Sequence, residues 1–289
     1  DFPKEPLLYN ISGACYKAID QLDDAAKSFE KAVTLKPDYA EAQYNLGITL
    51  RELGQLDAAI KSYKNALSIK HAYPNVHNNL GNIFLELGQL ESAAEHFEWA
   101  VAYNPEFDKA HNNLAVTLQG LGQLDAAVES YKKALAVNPD YAEAHNNLGI
   151  TLQGLGQLDA AVESYKKALA VNPDYANAHN NLGIAFKQLG QLDAALKSYK
   201  KALVIKPDYA EAHNNLGNAF KELGQLDDAV KSYEQALAIK PDYAYAHNNL
   251  GNAFKELGQL DAAVKSYEQA LAIKPDYAEA RNNLDNAKA

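Results

Sequence analysis

The chain repeats itself every 34 residues over almost its whole length. Pro37, Pro105, Pro139, Pro173, Pro207, Pro241 and Pro275 fall on one frame, with His71 in the gap. Gly13, Gly47, Gly81, Gly149, Gly183, Gly217 and Gly251 fall on another, with Ala115 in the gap. A period of this length means a solenoid, in which each unit buries its apolar face only against its neighbours. Such a chain has a long repeated surface and no single pocket where chemistry converges.

The frame puts unit starts at residues 6, 40, 74, 108, 142, 176, 210 and 244, with a ninth start at 278. In the fifth unit, Ala144, Leu148, Gly149, Thr151, Leu152 and Leu155 recur at helical spacing. Ala160, Ala161, Tyr165, Ala168, Leu169 and Val171 form a second stripe. Each unit is therefore expected to be a helix pair, A then B. Gly156 ends helix A in a left-handed conformation, and the short GQLD turn makes the pair antiparallel. Pro173 closes helix B because its ring cannot continue the amide ladder. Asp140/Glu143, Asp38/Glu41, Asp208/Glu211 and Asp276/Glu279 have capping-box spacing, and Asp159 is expected to cap helix B. Gly149 and Ala160 are expected to face each other and let the two helices approach closely. The first unit is irregular, with Ser12 in place of leucine and Pro3 and Pro6 ahead of its helix. The chain thus reads as one all-α solenoid over 1–289, with eight full repeats over 6–277 and a capping helix over 278–289.

Formal net charge is −10, which argues against a broad nucleic-acid or anionic-membrane surface. No apolar run is long enough to span a membrane, and no signal segment is evident, which favours an intracellular setting. Methionine is absent, so the chain reads as a piece of a longer protein. The single cysteine, Cys15, shares its frame position with Thr49, Ile83, Thr117 and Ala185 and is expected to be a packed small residue. No nucleophile elbow, phosphate-binding glycine loop or acid–base constellation appears, so no catalytic residue, cofactor or enzymatic activity is expected. His77, His111, His145, His179, His213 and His247 recur once per unit. Successive units lie roughly 10 Å apart, too far for shared metal coordination, so these read as packing residues and no metal site is expected. His96 has no repeated counterpart and no evident companion.

The repeated wording, H-N-N-L-G-x2-L/F, then A-x3-Y, then P, resembles the tetratricopeptide repeat (TPR) over residues 6–289. Histidine stands where that family often has tryptophan. The N-N-L-G wording and the preceding P-D-Y-A-E-A-H look most like the TPR arm of O-linked N-acetylglucosamine transferases and their bacterial relatives, without any of their catalytic domain. The resemblance implies a right-handed superhelix of antiparallel helix pairs, with helices A lining a concave face where partners lie. A chaperone-adaptor carboxylate clamp is not matched, because Tyr44 or asparagine occupies the position of its lysine.

Asparagine pairs recur inside helix A, although asparagine disfavours a helix interior by several tenths of a kcal/mol. By resemblance to the transferase arm, the second member of each pair contacts peptide: Asn45, Asn79, Asn113, Asn147, Asn181, Asn215, Asn249 and Asn283. A carboxamide offers a donor and an acceptor, so such a row matches the backbone of an extended segment. The asparagines could equally bond between helices, or be inherited by duplication, since residues 118–142 recur unchanged at 152–176. The function expected is a scaffold that holds an extended protein or peptide segment. The alternatives are the docking arm of a glycosyltransferase and a solenoid that self-assembles end to end.

Overall fold

The computed structural model describes residues 4–288. Pro3 and Ala289 lie outside the described residues. Among those described, all regular secondary structure is helical, in 17 helices. They fall into two compact units, Asp1–Pro139 and Asp140–Ala289.

The first unit holds α1 (Pro6–Ala18), α2 (Leu22–Leu35), α3 (Ala40–Glu52), α4 (Leu56–Ile69), α5 (Pro74–Glu86), α6 (Leu90–Tyr103), α7 (Asp108–Gly120) and α8 (Leu124–Val137). The second holds α9 (Ala142–Gly154), α10 (Leu158–Val171), α11 (Ala176–Gln188), α12 (Leu192–Ile205), α13 (Ala210–Glu222), α14 (Leu226–Ile239), α15 (Ala244–Glu256), α16 (Leu260–Ile273) and α17 (Ala278–Lys288). Odd-numbered helices are helices A, and each begins on the 34-residue frame. Pro6 is the first residue of α1 rather than a residue ahead of it, where its missing N–H costs nothing. Within each unit every helix packs on its sequence neighbour, which makes the fold a stack of helix pairs.

The close approach inside a pair rests on glycine against a ring. A Cβ added to Gly149 would lie 2.5 Å from Cε1 of Tyr165, so the tyrosine occupies the space that a side chain would fill. Tyr165, Ala161 and Ala168 are fully buried. Ala160 is exposed and does not supply the close contact expected of it; the buried alanine is Ala161, one position further round the helix. Phe29 and Phe97 replace the tyrosine in the first and third pairs and meet Gly13 and Gly81 in the same way.

Helix A ends as expected. Gly156 has φ +74°, and its N–H reaches the Gln153 carbonyl at 3.0 Å while that of Gln157 reaches Leu152 at 2.9 Å. This pair of bonds is a Schellman motif, and it requires a left-handed residue. Asp20 fills that position after α1, at φ +60°, without the freedom of glycine.

The expected N-caps are not formed. Tyr141 and Gln157 occupy the N-cap positions of α9 and α10, and neither makes a side-chain cap. Asp140 stands one residue too early and Asp159 two residues too late to cap. Glu41 and Glu279 turn instead toward Asn10 and Asn248 of the preceding repeat, accepting from their amides at 3.4 and 3.1 Å. Cys15 is exposed, unlike Thr49 and Thr117 at equivalent positions, and so is not the packed small residue expected.

Candidate functional site

In most repeats the buried member of one asparagine pair accepts from the half-buried member of the next; Asn112 is the exception, its buried Oδ1 having no partner. In the second unit the Nδ2 groups of Asn181, Asn215 and Asn249 donate to Oδ1 of Asn146, Asn180 and Asn214 at 3.1, 3.1 and 3.0 Å. Asn283 extends the row by donating to Asn248 at 3.0 Å. In the first unit Asn45 donates to Asn10 at 3.0 Å and Asn113 to Asn78 at 3.3 Å. These bonds recover much of the helix-propensity cost, each contributing about 1 kcal/mol net.

Two positions show why both members are needed. Tyr44 replaces the first asparagine in the second repeat, and Asn79 then donates to the Tyr63 hydroxyl at 3.3 Å instead. Asn10 completes the first rung although its repeat has only one asparagine; its place in the 34-residue frame was the available signal, and the sequence reading missed it.

Asn45, Asn79, Asn113, Asn147, Asn181, Asn215, Asn249 and Asn283 are all half-buried. Three of them line one unit and five the other. An Nδ2 group has two hydrogens, and the inter-repeat bond uses one. The same bond fixes which way the carboxamide points. At Asn181, Asn215 and Asn249 the remaining N–H and the carbonyl oxygen lie on a half-buried residue held in one orientation, whereas Nδ2 of Asn113 and Asn283 also donates to Asn82 and Asn252 at 3.0 and 3.1 Å, and Oδ1 of Asn147 accepts from Asn146 at 3.3 Å.

Neighbouring groups on helix A are largely committed to each other. The buried tyrosines of helix B send their hydroxyls toward it: Tyr233 donates to Asn218 and Tyr267 to Asn252, each at 2.8 Å, and Tyr165 to Gln153 at 2.8 Å. Burial pushes the Tyr267 hydroxyl up to about 12 and raises those of Tyr233 and Tyr165, so all three remain protonated donors. Tyr199 is an exception. Ile184 stands where Tyr233 finds Asn218, and the buried Tyr199 hydroxyl has no partner. Lys17–Glu52, Lys187–Glu222 and Lys221–Glu256 pair between repeats at 2.9, 2.9 and 3.7 Å, and Arg51 pairs with Glu86. The charges at these positions are therefore balanced locally.

The histidines hold the turns. Nε2 of His111, His179, His213 and His247 donates to the carbonyl of Pro105, Pro173, Pro207 and Pro241 at 2.9 to 3.0 Å. Arg281 does the same to Pro275 at 2.7 Å. This donation ties each helix A to the end of the helix B before it. His96 does have a companion: its Nδ1 lies 3.1 Å from Nδ1 of His77. Among the described residues no group of three or more potential ligands could hold a metal ion, and no helix is long and apolar enough to cross a membrane.

The TPR repeat model matches residues 13–50, 47–88, 81–122, 120–156, 154–190, 185–224, 217–258 and 251–288, and the chain belongs to this family of protein-interaction scaffolds. Among solved structures it is similar to PilW, a widely conserved type IV pilus biogenesis factor: 28% identity, TM-score 0.66, covering 73% of this chain and 98% of that one. YrrB, described as a TPR protein with an unusual peptide-binding site, is 25% identical with TM-score 0.54, covering 65% and 97%. The APC/C Cut9–Hcn1 structure shares the fold at 19% identity and TM-score 0.66, covering 93% of this chain. The chain spans about half, 53%, of the Cut9–Hcn1 chain it matches. None of the curated proteins compared with it matches significantly.

Proposed function

We propose that the chain is a non-enzymatic scaffold that holds an extended peptide segment along the row of half-buried asparagines, reading its backbone rather than its side chains. The observation that carries this is the orientation of the row. At Asn181, Asn215 and Asn249 the inter-repeat bond spends one N–H and fixes the carboxamide, so a second donor and an acceptor recur in three successive repeats without an ordering cost at binding. The bonds that stabilise the stack are thus the ones that preorganise the row. Locally balanced charges and neutral amides suit segments of varied sequence. YrrB, with its peptide-binding site on the same fold, supports a peptide as the ligand class. The N-N-L-G wording shared with the transferase arms favours a second reading, in which the same contacts serve substrate docking for a glycosyltransferase.

The test is selection of extended peptides on the wild-type chain, followed by titration of the triple variant Asn181→Ala, Asn215→Ala, Asn249→Ala. Affinity should fall by about tenfold or more for peptides of unrelated sequence, as expected for several lost backbone hydrogen bonds. Unchanged affinity in a folded variant contradicts the proposal.

A further inference from the structure

The third repeat departs from the others on helix B. His96 stands where other repeats have serine, such as Ser62 and Ser130; Trp99 replaces Asn65 or Lys133; Tyr103 replaces Ile69 or Val137. Trp99 is the only tryptophan in the chain. These non-periodic residues come together. Trp99 and Tyr103 stack at 5.6 Å with planes 20° apart, and both lie against His77, at 6.3 and 5.7 Å. His96 stacks on Phe84 at 5.4 Å and 6°. Nε2 of His77 donates to the His71 carbonyl at 3.3 Å, which leaves its Nδ1 to accept from Nδ1–H of His96. The two imidazoles are therefore locked together and back the outer rings. Trp99 and Tyr103 nevertheless remain 46% and 41% exposed. A fixed pair of large half-exposed rings is the usual make-up of an interface anchor.

α6 itself is one-sided in charge. Between Leu90 and Tyr103, α6 carries Glu91, Glu95 and Glu98 and no lysine or arginine, whereas α4 and α8 each carry a pair of lysines. Glu95 lies one turn before Trp99, and Glu98 adjoins it; both are exposed. Glu98 also rims an open cleft of about 790 Å³ bounded by Val101, Pro105 and Val137, whose other charged lining residues are Glu129 and Lys133 of α8. Lys64 of α4 is the basic group whose field reaches His96.

We propose that this face of α6 is a docking surface for a basic segment of a partner protein, whose arginine or lysine side chains lie over Trp99 and Tyr103 with Glu95 and Glu98 as counter-charges. Aromatic faces attract such cations, arginine best because its plane stacks, and flanking carboxylates select for them. This surface is independent of the asparagine row.

Because Trp99 is unique, its fluorescence reports directly on the site. The probes are end-blocked hexa-arginine and hexa-glutamate peptides, titrated into the full chain at low salt. Hexa-arginine should give a saturable change in Trp99 emission and hexa-glutamate none. In anisotropy with a labelled arginine peptide, Trp99→Lys and the pair Glu95→Gln/Glu98→Gln should each weaken binding by about tenfold. The pair Glu163→Gln/Glu234→Gln removes the same charge from exposed positions on α10 and α14 and should change affinity less than about twofold. Equal losses from the two glutamine pairs would show attraction to an acidic chain in general and overturn the proposal. So would the absence of a saturable signal, or Trp99 emission that shifts with protein concentration alone, which would make a second copy the occupant.

Discussion

Asn181 donates from Nδ2 to Oδ1 of Asn146 at 3.1 Å, tying the second helix A of a unit to the first through a pair of side chains that neither helix needs on its own. Asn180 is the buried acceptor of the next rung. Asn180→Ala should lower stability by about 1–2 kcal/mol, because the amide of Asn215 loses its acceptor in a half-buried place. Urea unfolding at constant m-value measures this. A change below about 0.3 kcal/mol would mean the rungs are decorative.

Gly149 should tolerate alanine poorly and leucine not at all. The added methyl meets the Tyr165 ring, and overpacking of this kind costs about 1–3 kcal/mol. Ala115 occupies the equivalent site of the fourth unit and is buried there, so a single methyl should fall at the lower end, about 1–2 kcal/mol. Thermal unfolding of Gly149→Ala and Gly149→Leu separates the two.

Tyr199 and Tyr233 differ by one hydrogen bond. Tyr233→Phe removes a donor to Asn218 and should cost about 1 kcal/mol. Tyr199→Phe removes a buried hydroxyl with no partner and should be neutral or stabilising by up to about 1 kcal/mol. The denaturant midpoint should fall for Tyr233→Phe and hold or rise for Tyr199→Phe.

His96 makes the first unit sensitive to acid. Burial lowers its pKa to about 4, below the ordinary value of 6.5, and the neighbouring His77 adds to the shift. Between those values the unfolded chain binds the proton and the folded one does not. Stability is therefore complete above about pH 6.5 and falls as pH drops toward 4. His96→Ser, the residue of the neighbouring repeats, should flatten the fall in melting temperature between pH 7.5 and 5.0. An unchanged pH slope in that variant would assign the sensitivity to other groups.

Asp20 carries positive φ without glycine's freedom. Asp20→Gly should stabilise the chain by about 0.5–1 kcal/mol, measured as a higher melting temperature.

The helices were legible because the period is strict. Proline and glycine spacing located each unit start to the residue, and the left-handed glycine after helix A followed from turn chemistry. The caps were not legible. Tyrosine and glutamine fill the N-cap positions, so Asp140 suggested a cap one residue early and Asp159 a cap two residues late. The asparagine row was visible as a repeat, but its bonding was not, because a contact between residues 35 apart depends on how one pair stacks on the next. His96 was opaque for the opposite reason. It breaks the period, and its companion His77 had already been absorbed into a periodic class.

Backbone N-methylation tests the central claim most directly. A peptide selected on the wild-type chain is compared with the same peptide methylated at alternate backbone nitrogens, side chains unchanged, by titration calorimetry. If the asparagines read the backbone, methylation at the contacted positions removes binding by about tenfold or more, and Asn→Ala at residues 181, 215 and 249 makes the remaining affinity insensitive to it. Equal affinity of the methylated and unmethylated peptides for the wild-type chain would contradict the account.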